Sequence, residues 1–185
     1  GIDALQWAAD MQTPFDDSRL ETLVNSDHPV IVVTAHRREN WEGGLARIAT
    51  AIAEIAQARP EVWVVLPLHP NPRVRDAIRP ILDGIENVLL TEPLEYANFA
   101  RLLKRARIAI TDSGGVQEEA PSLGTPVLVT RDQTERQEGV DAGTLKLVGT
   151  NTELIVSETL QLLDNPAVYE AMRARRNPYG DGFAS

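Results

Sequence analysis

Residues 108–129 read IAITDSGGVQEEAPSLGTPVLV. An apolar run (Ile108–Thr111) is followed by small polar residues, a segment of helix-forming residues and a second apolar run (Val127–Val129). This succession is typical of a β-strand, a tight turn, a helix and another strand. Both runs are apolar throughout, as expected where helices cover both faces of a parallel sheet. The stretch therefore predicts an α/β fold.

The same succession recurs along the chain. Four further apolar runs are predicted strands: Val30–Thr34, Val62–Leu66, Asn87–Leu90 and Leu145–Val148. Apolar residues three and four positions apart predict helices between them, most clearly from Leu45 to Ala56. About six strands with intervening helices predict a Rossmann-like, doubly wound parallel sheet in the order 3-2-1-4-5-6. Ligands of such sheets bind beyond the carboxyl ends of strands 1 and 4, so the loops after Thr34 and Thr111 are the first candidates for a site.

Three residue pairs have the spacing of a capping box and predict helix starts. They are Ser18 with Glu21, Thr134 with Gln137, and Thr150 with Glu153. The chain starts at Gly1 and continues into an amphipathic segment, 2–11, which suggests a piece of a longer protein.

Composition narrows the possible partners. The 185 residues carry 18 basic and 27 acidic side chains, a net charge of −9, and include no cysteine. An acidic chain is poorly suited to nucleic acid or to an anionic membrane, so neither partner is expected. The absence of cysteine excludes disulfides, thiol nucleophiles and thiolate metal sites, and it favours a cytoplasmic location. No apolar stretch approaches the roughly 20 residues of a membrane-spanning helix.

The loop after strand 4 is Asp112-Ser113-Gly114-Gly115. Glycines in a first helical turn are poor helix formers, but they leave N–H groups uncovered at the positive end of the helix dipole. Either a phosphate binds there, or Ser113 caps the helix in an ordinary turn. Glu118 and Glu119 follow, about 100° apart on a helix, and cannot form a facing acid–base pair. They either offset the helix dipole or accept the hydroxyls of a ribose.

Two other loops carry clustered charges. His36-Arg37-Arg38-Glu39-Asn40 follows strand 1, and His36 is suited to bind a phosphate or to transfer a proton because imidazole titrates near neutral pH. The alternative is a solvated loop whose charges pair with one another. The 131–136 loop after strand 5 ends in Arg136, whose guanidinium matches a diphosphate, although an ion pair with Asp132 or Glu135 is equally consistent. His69, in a proline-rich loop, is interpreted as structural, and the scattered histidines do not suggest a metal.

Five motifs occur in order along the chain: HRREN (36–40), TDSGGVQEEAPSLGTPVLV (111–129), RDQTER (131–136), DAGT (141–144) and NPYGDG (177–182). Together they resemble the carboxyl-terminal half of the bacterial non-hydrolysing UDP-N-acetylglucosamine 2-epimerases, over nearly the whole chain. Gln137 departs from the family, which usually has proline there, and this is expected to alter a loop without altering the chemistry.

The resemblance implies one half of a glycosyltransferase-B-like fold, with the active site between two Rossmann-type domains. It implies interconversion of UDP-N-acetylglucosamine and UDP-N-acetylmannosamine through elimination and re-addition of UDP, without metal or other cofactor. The implied organisation is an interdomain helix and linker (1–28), a UDP-binding domain (29–176) and the start of a truncated crossover segment (177–185). The catalytic carboxylates belong to the missing amino-terminal domain, so this chain is expected to be inactive alone and the full-length protein to form a homodimer.

The resemblance also implies roles for individual residues. His36 is the implied catalytic residue, close to the phosphates and the reacting sugar. The implied ligands of UDP are His36, Phe99, Ser113, Gly114, Gly115, Glu119 and Arg136. An allosteric UDP-sugar is implied at Arg37, Glu39 and His69, a role that replaces the structural interpretation of His69.

Three other functions remain open. The chain is alternatively the nucleotide-binding half of a UDP-sugar glycosyltransferase, part of a hydrolysing UDP-N-acetylglucosamine 2-epimerase, or a non-catalytic interaction domain. The first shares the fold and often a ribose-binding glutamate.

Overall fold

The structure is a computed structural model that describes residues 2–10 and 13–173. Its strands are β1 (Val30–Thr34), β2 (Trp63–Pro67), β3 (Val88–Thr91), β4 (Ile108–Thr111), β5 (Val127–Val129) and β6 (Leu145–Leu147). They form one parallel sheet in the order β3-β2-β1-β4-β5-β6. This confirms the predicted sheet and strand order, with boundaries that differ by at most one residue. The motif at 177–182 lies outside the described residues.

Helices connect the strands and cover the sheet. They are α1 (Ile2–Asp10), α2 (Ser18–Val24), α3 (Gly44–Ala58), α4 (Pro72–Leu82), α5 (Tyr96–Arg105), α6 (Gly114–Ser122), α7 (Gln137–Ala142), α8 (Thr152–Asp164) and α9 (Pro166–Arg173). A 3₁₀ turn, Arg38–Asn40, lies in the loop after β1. Within the described residues, no helix combines the length and apolar character needed to cross a bilayer.

The three predicted capping boxes are wrong. Asp17 caps α2 by accepting the Arg19 N–H, and Asn151 caps α8 by accepting the Leu154 N–H. In both cases a short carboxylate or amide side chain next to the predicted serine or threonine takes the N-cap position, which suits its geometry.

The third of these helices, α7, starts after Arg136, two residues beyond Thr134. Gln137 is therefore the first residue of α7, a position that also favours proline because its N–H needs no helical partner. Its side chain donates to Asp141, one turn on. The departure from the family falls at a helix start and not in a loop.

Successive strand residues enter opposite cores. In β1, Ile31 and Val33 pack into the core under α3, α4 and α8, whereas Val30 and Val32 pack into the core under α2, α5 and α6. Leu20, on α2, is fully buried in the second of these cores. Helix α2 therefore packs against the sheet, inside the range predicted to be a helix and linker.

The pairing of β1 with β4 positions the candidate site. Their register runs from Ile31 opposite Ile108 to Thr34 opposite Thr111. Because both strands end at the same level, the loops that follow them start side by side at the carboxyl edge of the sheet.

Leu20→Ala tests whether α2 belongs to the core of this domain. Loss of a fully buried leucine side chain leaves a cavity, and the free energy of unfolding should fall by about 2–5 kcal/mol. Denaturant unfolding of the chain measures the change. Thr22→Ala, on the exposed side of the same helix, should change it by less than about 0.5 kcal/mol. Equally small effects of both substitutions would contradict a structural role for α2.

Candidate functional site

Two threonines tie the ends of the central strands together. The Thr34 and Thr111 hydroxyls lie 2.6 Å apart and share a hydrogen bond. The Thr111 oxygen also accepts the Ser113 N–H at 2.9 Å, which fixes the turn from β4 into α6. The Ser113 N–H is thus occupied, and the first N–H groups beyond it belong to Gly114 and Gly115.

The start of α6 is open to a ligand. Ser113 occupies the N-cap position, but its side chain makes no capping hydrogen bond with any described residue, so the sequence alternative of a serine-capped turn is wrong. The N–H groups of a first helical turn have no partner inside the helix. Gly115 is exposed. This end of α6 therefore offers backbone donors and the positive end of the helix dipole at the edge of the sheet.

Arg136 lies directly against this helix start. A Cβ built on Gly114 would come within 3.0–3.1 Å of the Arg136 guanidinium atoms, so a side chain at position 114 would displace the arginine. The guanidinium is near Glu118 (3.4 Å) and Glu135 (3.5 Å), which bears out the predicted ion pair with Glu135. The structure thus brings a cationic side chain and a positive helix end together, with two carboxylates beside them.

A chain of polar side chains that starts at the buried Gln117 positions the backbone of Arg136. Gln117 on α6 is fully buried and donates to the Ser113 carbonyl at 3.3 Å. Its carbonyl oxygen accepts a hydrogen bond from the Thr134 hydroxyl, whose oxygen accepts the Arg136 N–H at 3.0 Å. The loop after β5 is thereby attached to α6. Sequence reasoning missed Gln117, although a glutamine between apolar helix positions was an available signal.

The side chain of Asp112 fixes the loop after β1 by hydrogen bonds. This carboxylate is fully buried and accepts the N–H groups of His36 at 3.0 Å and Arg37 at 2.9 Å. The Asn40 side-chain amide donates to it as well, at 3.0 Å. Sequence reasoning quoted Asp112 within a motif and gave it no role, because its partners lie more than 70 residues away.

Two exposed histidines, His36 and His69, stack on each other. The ring centroids of His36 and His69 are 5.5 Å apart and their planes differ by 21°. The Asn71 N–H donates to Nδ1 of His69 at 3.1 Å, which places the proton of the neutral His69 ring on Nε2. Because β2 lies beside β1, the loop that carries His69 meets the loop that carries His36.

Arg37 and Glu39 form an ion pair at 3.0 Å. The pKa of Glu39 is lowered, first by a hydrogen bond from its own backbone and then by the charges of Arg37 and Arg131. These residues line a cavity of about 420 Å³ between the loops after β1 and β5. At its wall, the buried Thr130 hydroxyl has no hydrogen-bond partner among the described residues. The charges of this loop pair as the solvated-loop alternative predicted, and they also face a cavity.

Glu119, also on α6, is half-buried. Burial, followed by the adjacent charge of Glu118, raises its pKa. The pKa of Tyr96 at the start of α5 is raised by burial and by the charge of Glu119. Phe99, one turn further along α5, is half-buried against the core. Sequence reasoning missed Tyr96, which is 51% exposed.

A larger cavity than the one between the loops after β1 and β5 lies away from these loops. It has a volume of about 840 Å³ and runs along the edge strand β3 between α2 and α4. Its lining comes from Leu23, Leu82, Leu89 and their neighbours on these elements. Chemistry-bearing residues converge at the carboxyl edge of the sheet, which makes that edge the candidate site.

The whole chain matches a family described as UDP-N-acetylglucosamine 2-epimerase, over residues 1–185. The UDP-N-acetylglucosamine 2-epimerase of Yersinia pestis is 49% identical over 188 residues, 99% of this chain and 50% of that protein. That of Escherichia coli K12 is 47% identical over 188 residues, with the same coverage of 99% and 50%. The chain spans about half the length of the curated relatives it matches.

Solved structures agree with this match. The UDP-GlcNAc 2-epimerase of Neisseria meningitidis, bound to UDP-GlcNAc, has a TM-score of 0.87 and 44% identity, over 99% of this chain and 50% of that one. The MnaA–UDP structure from S. aureus has a TM-score of 0.90 and 39% identity, over 99% and 49%. A sucrose-phosphate synthase from Thermosynechococcus elongatus has a TM-score of 0.64 at 19% identity, over 95% and 47%, and shares the fold alone.

The fold is thus that of one half of the glycosyltransferase-B-like proteins, as predicted. The family match extends over every residue and includes the loops that carry Arg136 and the glycine pair. The chain belongs to the UDP-N-acetylglucosamine 2-epimerase family.

Proposed function

We propose that this chain is the UDP-binding half of an enzyme that interconverts UDP-N-acetylglucosamine and UDP-N-acetylmannosamine by eliminating and re-adding UDP. The observation that carries the proposal is the contact of the Arg136 guanidinium with the glycine-rich start of α6. An anion with several oxygens, such as a diphosphate, can accept hydrogen bonds from both of these positive groups at once. Relatives solved with UDP-GlcNAc and with UDP support the identity of the nucleotide.

Each implied residue has a role that its chemistry can perform. The N–H groups of Gly114 and Gly115 and the Ser113 hydroxyl donate to the diphosphate, and Arg136 provides a planar pair of donors. Glu119 accepts the ribose hydroxyls, and Phe99 contacts the uracil.

His36 follows β1, one of the two central strands of the sheet. We propose that it contacts the phosphates and the reacting sugar. When UDP leaves the sugar, negative charge grows on the diphosphate, and donors already aimed at it stabilise the transition state. The carboxylates that move the sugar proton belong to the rest of the protein, so this chain binds UDP and does not epimerise the sugar.

The state of Glu119 supports a ligand role. Its pKa is raised, which means that the folded chain holds this carboxylate in a place that disfavours its charge. Carboxylates whose charged form is disfavoured in this way are common at ligand-binding sites.

A second UDP-sugar, which activates the enzyme, is proposed at Arg37, Glu39 and His69. His69 stacks on His36, and Arg37 and Glu39 line the cavity between the loops after β1 and β5. We also propose that the full-length protein is a homodimer and is located in the cytoplasm. Light scattering of the purified protein tests its oligomeric state.

Product analysis of the full-length protein separates the alternatives. Given UDP-N-acetylglucosamine, a non-hydrolysing epimerase forms UDP-N-acetylmannosamine and retains the nucleotide on the sugar. Free UDP with free N-acetylmannosamine indicates a hydrolysing enzyme, and sugar transfer to an added acceptor indicates a glycosyltransferase. If the protein neither turns over the substrate nor binds the nucleotide, the result indicates a non-catalytic interaction domain.

Calorimetry of this chain with UDP and UMP tests the diphosphate site. UDP should bind more tightly than UMP because the second phosphate gains donors from α6 and Arg136. Arg136→Ala should weaken UDP binding about tenfold or more and remove most of the preference over UMP. Arg79→Ala, which removes an equal charge from the surface ion pair with Asp83, should leave both affinities unchanged. Equal effects of the two substitutions would contradict the assignment.

Glu119→Gln tests whether the charged form of Glu119 destabilises the folded chain. As pH rises through the ordinary glutamate value of 4.5, the unfolded chain releases its proton before the folded chain does, so the wild type loses stability. The variant avoids this loss, and its Tm should exceed that of the wild type at about pH 7 and match it at about pH 3. Glu54→Gln, on the exposed side of α3, should give no such crossover. A variant less stable at neutral pH would be inconsistent with the raised pKa.

Arg37→Ala tests the second nucleotide site in the full-length enzyme. Loss of a phosphate-binding guanidinium should abolish activation by added UDP-N-acetylglucosamine. UDP binding at the first site should weaken by less than about threefold. Initial rates of the reverse reaction, measured with and without added UDP-N-acetylglucosamine, provide the comparison. Activation that persists in the variant would move the second site elsewhere.

A further inference from the structure

Asp112 is a buried carboxylate with an unusual set of partners. It is 0% exposed and accepts the backbone N–H groups of His36 and Arg37 and the side-chain amide of Asn40. Among the described residues, no cationic side chain forms a salt bridge with it. Three N–H donors therefore satisfy its charge, and each of them belongs to the loop after β1.

The same residue belongs to the turn that starts α6. Asp112 immediately precedes Ser113, and its own N–H donates to the Thr34 carbonyl at 3.2 Å. Its backbone therefore continues β4 toward the glycine pair, while its side chain holds the neighbouring loop. Because the side chain is fully buried, it acts on a ligand only through the groups that it holds.

The peptide that carries His36 is fixed on both sides. Its N–H donates to Asp112, and its carbonyl accepts the indole N–H of Trp41 at 3.2 Å. The Trp41 ring has the guanidinium carbons of Arg38 and Arg73 at 5.5 Å and 5.8 Å from its centre. The imidazole of His36 stacks on His69. Of these contacts, only the one with Asp112 joins His36 to the α6 turn.

We propose that Asp112 is a positioning residue that sets His36 at a fixed place relative to the anion-binding start of α6. The inference rests on the proposed function for its catalytic consequence, and on the hydrogen bonds alone for its structural part. The diphosphate oxygens and the reacting sugar require His36 and the α6 donors in one geometry. Asp112 provides that geometry because its side chain binds the loop that carries His36, while its backbone leads directly into the turn that starts α6.

Asp112→Asn is the sharpest test, because the amide keeps the shape of the carboxylate. All three donors point to Oδ2, and the His36 N–H also lies 3.3 Å from Oδ1. Whichever way the amide is turned, its NH₂ group therefore faces the His36 N–H, and the charge that strengthens all three bonds is lost. The part of the loop that carries His36 should therefore move. The start of α6 is held by Thr111 and should remain in place. Asp83→Asn, at the exposed end of α4, is the matched control.

The structural readout does not depend on catalysis. The chain has three tryptophans and three histidines, so each indole N–H and each imidazole gives a countable NMR signal. In Asp112→Asn, the signals of the Trp41 indole and the His36 ring should shift, whereas that of the Trp63 indole should not. Asn40→Ala removes only one donor and should move the same signals less, which keeps the test usable if Asp112→Asn does not fold. Unmoved Trp41 and His36 signals in both variants would overturn the proposal.

The catalytic readout uses the full-length enzyme. Asp112→Asn should lower kcat for epimerisation about 10- to 100-fold, with a smaller change in KM, because misplacement of His36 affects the reacting sugar more than nucleotide binding. A purely structural role would lower the melting temperature and leave kcat per folded molecule unchanged, and that result would also overturn the proposal. If the wild-type enzyme does not epimerise the sugar, the proposed function fails, and the NMR comparison still decides the positioning role.

Discussion

The parallel pairing of β1 with β4 is the constraint on which the candidate site depends. These strands end together at Thr34 and Thr111, whose hydroxyls share a hydrogen bond. A shift of one strand by one residue would turn its threonine to the other face of the sheet, away from the threonine of its neighbour. It would also separate Asp112 from the loop after β1. Successive side chains of both strands are packed into two separate cores, and such a shift would disrupt the packing of both. The core therefore helps to determine the geometry of the edge.

Local electrostatics at this edge run against the overall charge of the chain. The protein carries a net charge of −9, yet the start of α6 and the Arg136 guanidinium form a positive site. Glu118 and Glu135 lie beside that guanidinium and balance it within the chain. Both pairs are partly solvated and therefore weak. A diphosphate with charged, well-aligned donors on two sides can compete with them for the arginine.

Local patterns in the sequence predicted the sheet well. Continuous apolar runs located the strands within a residue, and the glycine pair after β4 located an open helix start. Helix caps were predicted less well, because Asp17 and Asn151 compete with adjacent hydroxyl residues for the N-cap position. That competition is decided by backbone geometry and not by the spacing of a motif.

Long-range partners could not be predicted from local patterns. Asp112 meets the loop after β1, and His36 meets His69, only because the fold makes β1 the neighbour of both β4 and β2. The hydrogen bond between Gln117 and Thr134 likewise joins α6 to the loop after β5, 17 residues further along the chain. Family resemblance named several residues of the edge without the contacts that hold them, and the roles it implies for them stay predictions.

The central claim is that a diphosphate binds between the first turn of α6 and Arg136. The most direct measurement follows the backbone amide signals of Gly114 and Gly115 by NMR during a titration with UDP, with uridine as the comparison. The account predicts saturable shifts of both glycine signals with UDP and none with uridine. Saturable binding of UDP that leaves both glycine signals in place would contradict it.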